Sequence, residues 1–185
     1  MLSADALCEL PLVYKPCVFR VKWADTAWEI SHARRLRRDV FCTEQGLFED
    51  DDVDSVDNQA QTLVAVSYLG AMPDQAVGTV RIHTTEPGVW WGSRLAVERS
   101  YRHHSGLGAT LIQLAVSSAR ARGCTIFLAH VQRQNTPLFE RLHWTVLQHL
   151  DIYGHPHDLM QADLQHYPPC FDPLQGFAVP RRRAQ

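Results

Sequence analysis

The sequence predicts a mixed β-sheet with helices packed on it, α+β in layout and of the broad α/β class. Three observations predict it. Candidate elements run strand, helix, several strands, helix, strand, helix, strands, which is not a regular βαβ alternation. Between Thr62 and Val97 the apolar residues fall in strand-length runs separated by glycine and proline turns. Two stretches, near Thr26–Cys42 and Gly106–Arg122, carry apolar residues at helical spacing instead.

The first strand candidate is Cys17 to Trp23, where Val18, Arg20 and Lys22 alternate with Phe19, Val21 and Trp23. A helix is expected from about Thr26 to Cys42. There Ala33, Leu36 and Val40 share one face, and Arg34, Arg35, Arg37 and Arg38 crowd the others as a solvated surface able to pair with the acidic loop that follows. Glu49 to Asp57 reads as an acidic, solvated loop. Thr62–Leu69, Ala76–His83 and Val89–Val97 are strands, with Gly70, Pro73, Asp74, Pro87 and Gly88 in the turns. From Gly106 to Arg122, Leu107, Leu111, Leu114 and Ala115 define a helix, and Gly123 stands where its C-terminal cap belongs. Thr125–Val131 reads as a buried strand, Pro137–Leu142 as a short helix, and Trp144–Leu150 and Leu159–Leu164 as closing strands. The expected organisation is an N-terminal extension over 1–16, one domain over 17–166 and an irregular, proline-rich tail over 167–185.

Bulk properties exclude several classes. A chain of 185 residues encloses a core without staples, and 45% hydrophobic with 21% charged residues argues against disorder. A formal charge of −2 creates no field favouring nucleic acid or an anionic membrane. Five scattered cysteines without a CxxC pair suggest neither a disulfide framework nor a thiolate zinc site, and fit a reducing compartment. Met1 to Leu12 lacks the basic start and apolar run of a signal peptide. No stretch approaches the roughly 18 apolar residues of a membrane span. A cytoplasmic protein without membrane or nucleic-acid partners is expected.

The most informative stretch is Ser93 to Gly123. A strand ending in Leu95-Ala96-Val97 passes through a basic loop into Gly106-Leu107-Gly108, which opens the long helix. The first N–H groups of a helix lack internal partners, and the dipole places about half a positive charge there. Glycines let a bulky anion approach that backbone, so the turn suits a pyrophosphate. Arg102, His103 and His104 add donors beside it. A Gly-x-Gly also serves as a plain strand-to-helix turn. Ala109, Thr110 and Leu111 follow Gly108, so neither the third glycine of a dinucleotide fingerprint nor the Walker lysine is present.

Ser93 to Gly123 resembles motif A of the GNAT acyltransferases, (Arg/Gln)-x-x-Gly-x-(Gly/Ala) after a strand ending in an apolar triplet. Three further segments resemble the family in the right order: Val77 to Ile82, Arg37 to Asp54, and Asn135 to Trp144 (NTPLFERLHW). The Arg37 to Asp54 block is similar to "R..VF..EQG...E.D..D" of one GNAT subgroup and, in part, to acyl-homoserine-lactone synthases. Gly154 to Met160 is similar to that subgroup's late "G.PH..M". The resemblance implies a GNAT-like sheet, mostly antiparallel and flanked by helices, with a V-shaped split between central strands. It implies acetyl-CoA as co-substrate, without a metal. Leu95, Ala96 and Val97 would then hold pantetheine, and His103, Ser105, Gly106, Leu107, Gly108 and Ala109 the pyrophosphate, with Asn135 and Phe139 as further cofactor contacts. The loop is one residue longer than the family pattern, which leaves the phosphate-binding side chain open between Arg102 and His103.

The family reaction is direct acyl transfer from a thioester to an amine. An amine with a pKa near about 10.4 must lose its proton first, and a free strand N–H near Leu95 or Ala96 would polarise the thioester oxygen. Base candidates are Glu44, after the first helix, and His130, at the end of a central strand. The family's usual tyrosine acid aligns with Phe139, which cannot donate a proton. Either the thiolate leaves without help, another group substitutes, or the chain binds acyl-CoA without ordinary catalysis. The implied function is N-acetyl (or short acyl) transfer to a small-molecule or peptide amine by a monomer or homodimer. Alternatives are a homoserine-lactone-synthase-like enzyme and a catalytically silent regulatory domain.

Overall fold

A computed structural model describes residues 18–102 and 106–180. Eight strands form one sheet: β1 (Val18–Trp23), β2 (Gln61–Leu69), β3 (Met72–Glu86), β4 (Val89–Val97), β5 (Ile126–Gln132), β6 (Trp144–Ile152), β7 (His155–Ala162) and β8 (Phe177–Pro180). Their order across the sheet is β6-β7-β5-β4-β3-β2-β1-β8, antiparallel throughout except for the parallel β4–β5 pair. The expected mixed sheet is present.

Strand β2 shows why its residues read as a continuous apolar run. Leu63 and Ala65 face the main core, while Val64 and Val66 face a smaller cluster with Ala33 on the opposite side. Both faces of the sheet are therefore covered. Helix α2 (Leu107–Arg120) buries Leu107, Leu111, Leu114 and Ala115 against the first face. Helix α1 (Ala27–Arg38) covers the second with Ala33 and Leu36.

Thr26 caps α1 in a box with Glu29, an arrangement whose loss costs about 1 kcal/mol in typical helices. The expected helix to Cys42 does not continue as an α-helix. Asp39–Glu44 is π-helical, and the Gln45 N–H donates to the Val40 carbonyl five residues back (3.0 Å). The wider turn buries the adjacent Val40 and Phe41 together. Helix α3 (Thr136–Arg141) lies between β5 and β6. Strands β6 and β7 reach further than expected because Tyr153 and Gly154 both take positive φ and close a two-residue hairpin.

The tail departs most from expectation. Residues 167–180 are integral to the fold, and β8 pairs antiparallel with β1, Val179 opposite Phe19. Tyr167 is buried, its hydroxyl accepting from Trp144 Nε1 (2.9 Å) and donating to the Leu142 carbonyl. The Trp23 N–H donates to the Pro173 carbonyl (2.8 Å). Gly176 makes this route possible, with φ of +58° and a position where a Cβ would lie 2.0 Å from the Val21 carbonyl oxygen. Gly176→Ala is expected to destabilise the protein by about 2 kcal/mol or more through backbone displacement, read as a lower denaturant midpoint. Among the described residues no helix is long and apolar enough to cross a membrane.

Candidate active site

The site begins where β4 and β5 part. Their parallel ladder runs from Val89 opposite Ile126 to Gly92 opposite Ala129 and ends there. Beyond it β5 stays with β7, pairing His130 through Gln132, while β4 stays with β3 as far as Val97. A bulge drives the divergence. Arg94 and Leu95 together oppose the stretch between Arg81 and Thr79, with Arg94 at φ +55°. Through the resulting V passes a cleft of about 480 Å³. Leu95, Ala129 and Phe139 line it towards α2, and Phe41, Trp91 and His130 are among the residues lining it elsewhere.

The expected cofactor residues divide by this geometry. Leu95 and Asn135 line the cleft. Val97 packs on the α2-side core, whereas Ala96 turns to the cluster of Leu36, Val40 and Phe41. Gly106, at φ +68°, precedes the first turn of α2, and no atom lies within 4 Å of where its Cβ would stand. A Cβ on Gly108 would meet only Val97, at 3.9 Å. Among the described residues no side chain caps this helix. Leu107 is sunk in the core, which leaves its backbone for a ligand, and Ala109 follows within the same helical turn. An open helix N-terminus beside a cleft through the sheet fits an extended ligand with a phosphate group. His103 and Ser105 lie outside the described residues.

Arg102 sits beside this turn, its Nε donating to the Val97 carbonyl (2.9 Å) and its guanidinium gripping Glu44 at 2.5 and 2.7 Å. Glu44, one of the two base candidates, is thus committed to an ion pair. Its carboxylate faces Arg102 and does not line the cleft. The Arg102 hydrogen bond holds its carboxyl below the usual range, against the effect of burial, so it is a poor proton acceptor.

His130 lines the cleft with its ring 5.1 Å from Trp91. Burial, reinforced by nearby His157, lowers its pKa from the ordinary 6.5, so it is neutral at physiological pH and able to take a proton. The His157 Nδ1–H donates to the His155 carbonyl (2.7 Å), which fixes its tautomer. Across the split stands His83, opposite Trp91, whose buried Nδ1 has no partner among the described residues. Burial and then Arg81 lower its pKa as well. Phe139 is buried edge-on against Trp144 at 5.1 Å and offers no proton.

Behind the cleft Asp52, Asp54 and Asp57 of the acidic loop fold inward with Arg37 of α1, whereas Arg34, Arg35, Arg38 and Glu49 to Asp51 are exposed as the solvated reading expects. Arg37 binds Asp52 (2.7 Å) and Asp57 (2.6 Å), and Arg81 binds Asp54 (2.6 Å) and Asp57 (2.9 Å). Arg94 binds Asp52 (2.8 Å) and lies over the Phe48 ring at 4.7 Å. Arg37 and Asp52 are each only 2% exposed. Burial alone would raise the Asp57 carboxyl, but its Arg37 hydrogen bonds outweigh that and hold it far below the usual range. The network ties α1, the loop, β3 and the β4 bulge together.

A family model, Acetyltransferase (GNAT) family, matches residues 22–144. The chain belongs to the GNAT acetyltransferase family. This GNAT enzyme is 26% identical to the uncharacterized N-acetyltransferase YjcF of Bacillus subtilis (strain 168) over 137 residues, 73% of its own length and 93% of YjcF. A crystal structure of an acyl-CoA N-acyltransferase from Pseudomonas aeruginosa superposes with a TM-score of 0.61 at 20% identity, over 78% of this chain and 98% of that one. The acyl-homoserine lactone synthase BjaI, a CoA-dependent enzyme solved with SAM and isopentyl-CoA, superposes with 0.60 at 19% identity over 75% and 78%. The family uses acyl-CoA as co-substrate and acylates amines.

Within the enzyme, the split brings Leu95, His130, Asn135 and Phe139 to one cleft and leaves Glu44 outside it. Trp91 lines the cleft as the wall that the Trp90-Trp91 pair suggests, while sequence reasoning passed over His83 and Arg94 as site residues. Alternation along β3 carried a signal for the first, since Arg81 and His83 share the face opposite Val80 and Ile82.

Proposed function

We propose that this enzyme transfers an acetyl group from acetyl-CoA to a primary amine of a small molecule or peptide, in the cytoplasm, as a monomer or homodimer. The observation that carries the reading is the cleft through the β4–β5 split beside a glycine-opened helix N-terminus. Acetyl-CoA supplies the activated acyl group when bound. Gly106 to Ala109 present backbone N–H groups to the pyrophosphate, with Arg102 beside them. The free edge of β4 near Leu95 receives the pantetheine arm and polarises the carbonyl oxygen. His130, neutral at physiological pH, takes the proton from the amine. With Phe139 at the usual acid position, the departing thiolate receives no proton from that residue.

Calorimetric titration with acetyl-CoA, using NAD as a control, tests the binding half of this reading. Saturable binding to acetyl-CoA alone supports it, and no binding removes it. For the base, His130→Ala is expected to lower turnover about 100-fold while leaving acetyl-CoA affinity unchanged. The wild-type kcat/KM should rise with pH through a value below 6.5 as the imidazole loses its proton, and that limb should vanish in the variant. Unchanged turnover would dismiss His130. The Arg37 to Asp54 block and the BjaI-like fold favour, as a second reading, a homoserine-lactone-synthase-like activity. A clear preference for longer acyl chains and a sulfonium-bearing acceptor would select it.

A further inference from the structure

The cleft is rich in aromatic side chains, and its charged lining among the described residues is cationic. Phe41, Leu47, Phe48 and Trp91 form apolar walls, and Tyr153, 83% exposed, stands at the rim. Gln45, Gln132 and three histidines supply polar groups, and Arg81 and Arg94 are the charged ones. Among the described residues no aspartate or glutamate lines the cleft. Acids of the flanking segments are already engaged. Asp52, Asp54 and Asp57 serve the three arginines, and Glu44 serves Arg102. Asp158 accepts from Thr136 (2.6 Å) and contacts His149 (2.7 Å). Glu49 and Asp50 are exposed and lie outside the lining.

Such walls discriminate by charge. An ammonium group entering here would leave water without meeting an unengaged carboxylate among the described residues, since those nearby are already paired with Arg81 and Arg94. An alkylamine of pKa about 10.4 presents only about 1 molecule in 10³ as free base near neutral pH. Neutral histidines of lowered pKa have little power to correct that deficit. An aromatic amine of low basicity arrives uncharged, and its ring packs against Trp91 and Phe48. Resting on the acetyltransferase reading, we propose that the acceptor is a weakly basic aromatic amine, uncharged as it enters, and not a polyamine or a lysine side chain. In the transfer its nitrogen bonds to the acetyl carbon. The carbon–sulfur bond breaks with its electron pair on sulfur, and the nitrogen's proton passes to the His130 imidazole.

Initial rates with acetyl-CoA test this on aniline and 4-methoxyaniline against spermidine and a lysine peptide. The aromatic amines are expected to give kcat/KM at least about 10-fold higher. Gln45→Glu adds a carboxylate without changing shape, since Gln132 Nε2 donates to Gln45 Oε1 (2.9 Å) and retains an acceptor. That variant should narrow the ratio by about 5-fold, the scale of one partly screened ion pair. Equal or faster acetylation of spermidine or the peptide overturns the acceptor class and leaves acetyltransfer standing. Acetyl-CoA binding without turnover of any aromatic amine overturns it too. Absence of acetyl-CoA binding overturns both readings.

Discussion

Gly108→Glu is expected to abolish acetyl-CoA binding, by at least about 100-fold or 2.7 kcal/mol, in a protein that stays folded. Two effects of opposite sign make the result diagnostic. A Cβ at this position meets only Val97 at 3.9 Å, an ordinary contact, so the backbone need not move. A carboxylate in the first turn also complements the helix dipole, which stabilises the free protein by about 0.3–1 kcal/mol. The thermal midpoint should therefore hold or rise. For a pyrophosphate the same carboxylate is a like charge in the path of the N–H groups it needs. Gly108→Ala, with the charge omitted, should lose far less. Retained binding in the glutamate variant would move the phosphate site elsewhere.

Arg37→Met should lower stability by about 1.5–3 kcal/mol, because buried Asp52 and Asp57 lose charge-assisted hydrogen bonds while keeping Arg94 and Arg81 as partners. The acid response gives an independent check. Asp57 has a folded-state pKa depressed below its unfolded value near about 3.9, so the unfolded chain binds more protons in that range. Its contribution is complete above the unfolded value and is lost as pH falls through it towards the folded value. Urea midpoints of the wild type should drop steeply below about pH 4, and those of Arg37→Met less steeply. Equal midpoints at neutral pH would show that the network is structurally idle.

What was legible in the sequence follows from what local pattern encodes. Val89–Val97 was read with its final boundaries, and α2 was marked by apolar spacing and by glycines at both ends. The glycine turn that opens α2 was visible because a backbone left free to meet an anion leaves a trace in glycine. Pairings between distant positions were visible only in outline. The arginine run of α1 reads as able to pair with the acidic loop, but nothing local marks Arg37 as the buried one, or Arg94 as meeting Asp52 from 42 positions away. The π-helical turn leaves the residues helical in character and shifts only which of them face inward. Strand β8 was hidden by the prolines around it, and only Gly176, held against β1, explains how the chain returns there.

That return makes the last described strand the neighbour of the first. Until residues 177–180 have been synthesised, β1 presents a bare row of hydrogen-bonding groups on its outer side. Completion of the sheet thus waits for residues 177–180, whatever β2 to β5 have achieved by then. A shortened chain ending at 166 would carry every residue assigned to catalysis and still expose a template for intermolecular strand pairing. Its failure would appear as insolubility, and would say nothing about the chemistry.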